Sequence, residues 1–236
     1  MALEINDVSK DFGGIRALDG LSAELTEGCV TGLIGPNGAG KTTLFNVVSG
    51  TLPPTDGTVA LDGEVISGQK PHVIARKGIA RTFQTPQPIF QLTVEENVRT
   101  AEHFGRDADS AETSFGVGSV LDLVGLADKR DERPENLQLV EQKYVDFARA
   151  LVMEPDIVLL DEMLAGLNPA EKEEFSDTIL RIHDETDTDF FVIEHDMRTI
   201  RTLADDVMVI NNGRLIAFGP TEDVMAMDEV EEAYLA

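Results

Sequence analysis

Basic residues are few in this sequence: 19 Lys and Arg stand against 44 Asp and Glu, a formal net charge of −25. A surface so short of cations repels polyanions, which argues against nucleic acid as a partner, because non-specific binding rests on neutralising phosphates with Lys and Arg. Cysteine is nearly absent. The single Cys29 cannot close an internal disulfide, and at the mouth of an apolar strand it reads as a small core residue rather than a nucleophile. No run of about 18 or more uncharged apolar residues occurs. Residues 1–10 carry neither the basic flank nor the apolar stretch of a signal peptide, so the chain is expected neither to span a membrane nor to be secreted, and to work in the cytoplasm. Internal repeats, low-complexity tracts and long linkers are missing too, so the 236 residues are expected to form one domain with an inserted subdomain. The acidic residues are scattered among apolar positions and Lys is scarce even beside Arg, the pattern of a folded surface adapted to high salt, which predicts a halophilic source.

What is present is a set of short apolar runs. Residues 3–8 and 30–34 read as strands, the second leading through a glycine-rich turn into a helix over 41–49. Residues 79–83, 157–160 and 190–193 are continuously apolar rather than alternating, as in strands covered on both faces of a parallel sheet. A helix from Pro169 to about 185 starts with Asn168 as N-cap and proline at its first position. Residues 206–210 and 214–219, separated by Asn211, Asn212 and Gly213, predict an antiparallel hairpin. Between 86 and 153 no strand is predicted, whereas Thr93 to Glu96 is a capping box and 138–153 is helix-compatible throughout. The expectation is an α/β fold: a core of 1–85 and 154–236 with a mostly parallel central sheet and an antiparallel β region, and a helical subdomain over 86–153.

Gly35, Pro36, Asn37, Gly38, Ala39, Gly40, Lys41 and Thr42 match the phosphate-binding P-loop at every fixed position, between a predicted strand and a predicted helix. Its glycines let backbone N–H groups turn toward phosphates, Lys41 supplies a point charge, and Thr42 offers a hydroxyl to Mg²⁺. The apolar run ending at Asp161 has the form of a metal-holding Walker B strand, and Glu162 follows it at once. Successive residues at a strand end point different ways, so Asp161 can face a metal while Glu162 faces an attacking water as general base. Gln84 and His195 each follow a predicted strand, on the edge where ligands of open α/β sheets bind, which makes both candidate γ-phosphate sensors. His72, His103 and His183 have no such context and read as surface.

Lys41 in GPNGAGKTT, which runs to Thr43, Gln84 in RTFQ, Asp161 and Glu162 in IVLLDE, and His195 in IEHDM occur in the order found in ABC-type ATPases, and the resemblance covers nearly the whole chain. The glycines after Phe12, the AGLNP segment over 165–169 and the closing EEAYLA resemble ATP-binding subunits of branched-chain amino acid importers, with urea and amide importer subunits closely similar. The resemblance implies ATP and Mg²⁺ as ligands, with Thr42, Gln84 and Asp161 toward the metal. It also implies a second ATPase subunit, transmembrane permease partners and, indirectly, a solute-binding protein outside the membrane. By the same resemblance Phe12 stacks on adenine; on the residues alone it reads equally as a core Phe. Residues 165–168 are expected to cross to the partner.

Three departures qualify the resemblance. Where the family has a Leu-Ser-any-Gly-Gln type string, this chain has Leu137, Gln138, Leu139, Val140 and Glu141. In the family that string meets the γ-phosphate held by the opposite subunit. Val140 blocks the close backbone approach that glycine allows, and Glu141 sets a negative charge near a polyphosphate. A heterodimer with an intact partner is therefore expected. Met163 and Leu164 replace the usual Pro and small residue after Glu162, and the arm around 106–115 is shorter than usual. The competing reading is a nucleotide-binding regulatory subunit that hydrolyses slowly; a DNA-repair or translation role is disfavoured by the acidic charge.

Overall fold

The computed structural model describes residues 2–105 and 116–230; the shortened arm at 106–115 and the closing string at 231–236 lie outside them. In chain order the elements are β1 (Leu3–Phe12), β2 (Ile15–Leu25), β3 (Val30–Ile34), α1 (Lys41–Val48), β4 (Asp56–Leu61), β5 (Glu64–Val65), α2 (Pro71–Arg76), β6 (Ile79–Arg81), α3 (Val94–Glu102), α4 (Val117–Leu123), α5 (Leu139–Leu151), β7 (Ile157–Asp161), α6 (Pro169–Thr186), β8 (Asp189–Ile193), α7 (Met197–Leu203), β9 (Asp206–Asn211), β10 (Arg214–Pro220) and α8 (Thr221–Met225). Two short 3₁₀ turns, Ala127–Lys129 and Pro134–Asn136, join α4 to α5. The chain divides into two compact units, Met1–Pro71 with Asp189–Ala236, and His72–Thr188.

In the first unit β3 lies parallel to both β8 and β9, and β10 returns antiparallel to β9. Every residue of β3 and β8 is buried, as their continuous apolar runs require. Phe45 of α1 packs on Phe191 of β8 with ring centroids 5.0 Å apart. Ile200 and Ala204 join Ile34, Val207, Val209 and Val224 in one buried cluster. The β9–β10 hairpin turns through Asn212 (φ 47°) and Gly213 (φ 77°), two successive positive φ values of the kind tight hairpin turns demand. A separate antiparallel sheet runs β2-β1-β4-β5. Here β1 outruns the expected strand over 3–8. Its register shifts between Ile5 and Val8, where Asp7 takes φ 50°, so its apolar residues fall out of strict alternation.

In the second unit β6 and β7 pair in parallel, Ile79 opposite Ile157 and Arg81 opposite Leu159. The regular strand β6 ends at Arg81, two residues short of expectation; Thr82 still donates to the Leu159 carbonyl at 3.0 Å, but Phe83 turns out to solvent. α5 and α6 carry an aromatic core, Tyr144 stacked on Phe175 at 4.4 Å and Phe147 at 5.5 Å from it. The start signals read from sequence hold. Thr93 and Glu96 form a reciprocal capping box on α3, and Asn168 accepts from the Ala170 and Glu171 amides to open α6 at Pro169. The span 86–153 falls inside this unit, together with β6, β7 and α6.

Candidate functional site

In the first unit the register of Val30 to Leu33 against Phe190 to Ile193 brings β3 and β8 to the same carboxyl edge. The loop 35–40 and His195 therefore leave the sheet on one side. Backbone packing dictates the glycines of that loop. A Cβ on Gly35 (φ 153°) would sit 2.1 Å from the Ile210 carbonyl oxygen, and one on Gly40 (φ 107°) 2.5 Å from that of Ala17. The loop is pinned from behind: Gly213 N–H donates to Ala39 O, and Asp19 N–H to Gly213 O, both at 2.9 Å. The Lys41 ammonium, buried, donates to the carbonyls of Gly35 at 2.6 Å and Pro36 at 3.0 Å, which curls the loop about its own lysine. α1 carries no acidic side chain in its first turn and no side-chain cap on Gly40, so its positive end faces outward beside the exposed Thr42 and half-buried Thr43. Asn37 and Gly38 are exposed. That arrangement suits a polyphosphate.

Phe12 closes β1 opposite Ile15 and is 43% exposed, with the Lys10 ammonium 5.4 Å from its ring centroid. It is therefore not a core residue. Cys29 is half-buried rather than core. Burial pushes its thiol pKa up, and the carboxylates of Asp205, Asp206 and Asp189 push the same way, so it stays protonated and unreactive. His183 is also not plain surface: it is half-buried, with Nδ1 2.8 Å from the Thr188 carbonyl oxygen. His72 and His103 are exposed as expected.

In the second unit the parallel pair β6–β7 delivers Gln84 and Glu162 to a common edge. Gln84 Nε2 donates to Glu162 Oε2 at 2.6 Å. Asp161, buried, accepts instead from Arg81 Nη2 at 2.7 Å, and the two side chains are 7% and 8% exposed. The two neighbouring acids thus face different partners, as a strand end requires. Glu162 takes φ 51°, and Ala165 N–H closes a turn onto its carbonyl at 3.1 Å; Met163 and Leu164 are buried behind it. Arg81 went unnoticed in the sequence because its partner lies 80 positions away. Only the register of β6 against β7 reveals the pair. Residues 165–168 hold an exposed Gly166 and Asn168 around a buried Leu167, with Asn168 occupied in capping α6.

The α5 N-terminus also differs from a bare signature. Glu141 folds back to accept from the Gln138 N–H at 2.8 Å and pairs with the Lys129 ammonium. Its charge is neutralised within the unit, whereas Val140 still stands where a glycine would be expected. Beyond Gln84 the chain is tied to α5. Gln87 N–H donates to Asp146 Oδ2 at 2.6 Å, and Arg149 Nη1 reaches both Gln87 O and Asp146 Oδ1. Burial raises the Asp146 pKa against these partners. A cavity of about 320 Å³ opens beside them, walled by Phe83, Ile89, Phe104 and Met153 with Arg81 and Arg149.

Among the described residues no group of three or more His, Cys, Asp or Glu could by itself cage a metal. Mg²⁺ commonly takes one or two protein oxygens and completes its shell with phosphate and water. The Thr42 hydroxyl and the Asp161 carboxylate are donors of that kind.

The ABC transporter family profile matches residues 18–165. The high-affinity branched-chain amino acid transport ATP-binding protein BraF of Pseudomonas aeruginosa is 34% identical over 99% of this chain and 97% of its own length. The corresponding protein LivG of Escherichia coli K12 is 35% identical with the same coverage. Among solved structures, an ATP-binding cassette of an ABC transporter in its ADP conformation superposes with a TM-score of 0.88 at 30% identity, over 100% of this chain and 99% of that one.

Proposed function

The chain belongs to the ABC transporter family and is an ATP-binding subunit with ATPase activity, and from that premise we propose that it energises import of branched-chain amino acids or a related small polar solute. The observation that carries this reading is identity of 34–36% along 99% of the chain to proteins named for branched-chain amino acid transport. Within it Lys41 and the backbone N–H groups of Gly35, Asn37, Gly38, Gly40, Thr42 and Thr43 hold the phosphates, Pro36 and Ala39 shape the loop through the Ala39 N–H to Pro36 carbonyl bond, and Phe12 stacks on adenine. The Thr42 hydroxyl and, through water, the Asp161 carboxylate would hold Mg²⁺, with Gln84 toward the metal. Bound Mg²⁺ neutralises phosphate charge. Glu162 orients the attacking water and accepts its proton, and the Gln84 amide, bonded to Glu162, keeps that carboxylate aimed. His195 senses the γ-phosphate.

The partner is a membrane-spanning permease. No helix among the described residues is long and apolar enough to cross a membrane, and exposed Phe83, Ile89, Phe90 and Phe104 in the second unit offer an apolar surface for such a partner. In this reading the chain sits on the inner face of the cell membrane, and a solute-binding protein acts through the permease. Val140 favours a second reading, in which this chain pairs with a different ATPase subunit that supplies the intact signature, or serves as its slow, regulatory half.

The Mg-ATPase rate of the purified chain in high KCl, followed against protein concentration with Glu162→Gln as control, tests both. We expect tight ATP binding, turnover dependent on an added partner subunit, and a loss of at least about 100-fold in the Gln variant. A rate that climbs with concentration of this chain alone establishes a self-pairing enzyme and ends the heterodimer reading; undiminished turnover in Glu162→Gln removes Glu162 from the chemistry.

A further inference from the structure

Two residues at the end of β6 hold two consecutive acids at the end of β7. Arg81 is bonded to Asp161, and three positions later Gln84 is bonded to Glu162. The first of these is a buried ion pair, its guanidinium also lying 5.3 Å from the Phe83 ring centroid. Burying a cation and an anion costs desolvation that their attraction only partly offsets, so such a pair is a poor device for stability alone. It is placed on the very carboxylate assigned above to the metal.

From this geometry we infer that Arg81 is a positioning residue for metal loading: its guanidinium fixes the Asp161 carboxylate before the metal arrives and opposes the metal's charge at that carboxylate. The inference rests on the reading of Asp161 as a metal ligand. A divalent cation brought to a carboxylate already bonded to a buried guanidinium is repelled by it, and the low-dielectric surroundings strengthen that repulsion. A metal held at Asp161 would weaken the bond between that carboxylate and the guanidinium. Linkage makes the effect reciprocal: anything that draws Arg81 away from Asp161 tightens metal binding, and metal loading weakens the Arg81–Asp161 pair. Arg81 also lines the cavity beside Phe83 and Phe104, so a partner seated there would reach the guanidinium directly.

The experiment titrates Mn²⁺ by electron paramagnetic resonance into the full chain saturated with a non-hydrolysable ATP analogue, comparing native protein with Arg81→Gln, Arg81→Lys and Asp161→Asn. Nucleotide affinity in excess chelator is measured alongside. Arg81→Gln should bind Mn²⁺ about tenfold more tightly, because the competing charge is gone, while metal-free nucleotide affinity stays within about twofold. Arg81→Lys keeps a cation but loses the planar fork, so it should show a smaller gain, about threefold; it carries the test if the Gln variant does not fold. A disordered acidic chain also collects Mn²⁺, so the gain counts only in variants whose circular dichroism and melting temperature match the native protein, and only as a single tight site. Unchanged or weaker Mn²⁺ binding in the folded variants overturns the inference. Unchanged binding in Asp161→Asn overturns the underlying assignment of Asp161 instead.

Discussion

A glycine can be required because its backbone turns the wrong way for other residues, or because nothing else fits, and the phosphate loop contains both cases. Gly38 has φ 81° with open space where a Cβ would stand, whereas Gly35 faces the Ile210 carbonyl at 2.1 Å. Gly38→Ala should therefore cost only the left-handed backbone penalty, about 1 kcal/mol, and leave the fold intact. Gly35→Ala must push β9 or the loop aside and should cost about 3 kcal/mol. Urea unfolding midpoints separate the two, and equal losses would mean that the loop is not pinned against β9 as described. The same loop shows how a short-range motif becomes legible. Its spacing alone named Gly35 to Thr43, because the chemistry of a phosphate cradle is written in nine consecutive residues. The Arg81–Asp161 pair is written 80 positions apart and has no local signature.

Helix ends gave the most faithful signals in this chain, and α5 tests how far they go. Glu141 caps its own helix at Gln138 and pairs with Lys129. Burial alone would raise the Glu141 pKa, but the Lys129 ammonium and the Gln138 N–H outweigh it and hold the carboxyl below its ordinary 4.5. A carboxyl depressed in the folded state contributes stability that is present above its unfolded value and lost as pH falls through the lower folded one. Lys129 is half-exposed and solvent screens the pair, so Glu141→Gln should cost only about 0.5–1 kcal/mol at pH 7, and the difference should begin to shrink as pH drops below 4.5 and vanish below the lower folded value. Denaturant unfolding at several pH values checks it; a gap that persists in acid would assign the loss to packing. Elements with strong local signals, α1, α3, α6 and the buried strands β3, β7 and β8, were legible in sequence. β2, β4 and β5 were not, because register shifts along β1 displace the alternation that would mark an antiparallel sheet. α5 was legible as a helix, but the role of Glu141 depended on Lys129, 12 residues away across a turn.

Charge acts on the protein in its entirety. Its few cations sit in small networks with acids: Arg16 bonds Asp11 and Asp19, Asp19 also takes Arg214, and Arg99 and Arg130 both bond Glu95. Even with every Lys and Arg paired, 25 carboxylates remain in excess, and their mutual repulsion weakens the compact state. Screening shortens the reach of that repulsion from about 30 Å at 0.01 M salt to about 3 Å at 1 M. The folded chain should therefore melt about 10 °C higher in 1 M KCl than in 0.01 M, a gain of roughly 3 kcal/mol for a protein of this length. The shape of the curve carries the diagnosis. If screening is the whole cause, most of the rise comes below about 0.3 M, where the screening length falls fastest in absolute terms. A rise that continues steadily into molar KCl means that the acidic surface binds hydrated cations in its folded form, which is the behaviour expected of a halophilic protein. A flat profile across the series rules out both, and leaves the acidic surplus without a role in stability.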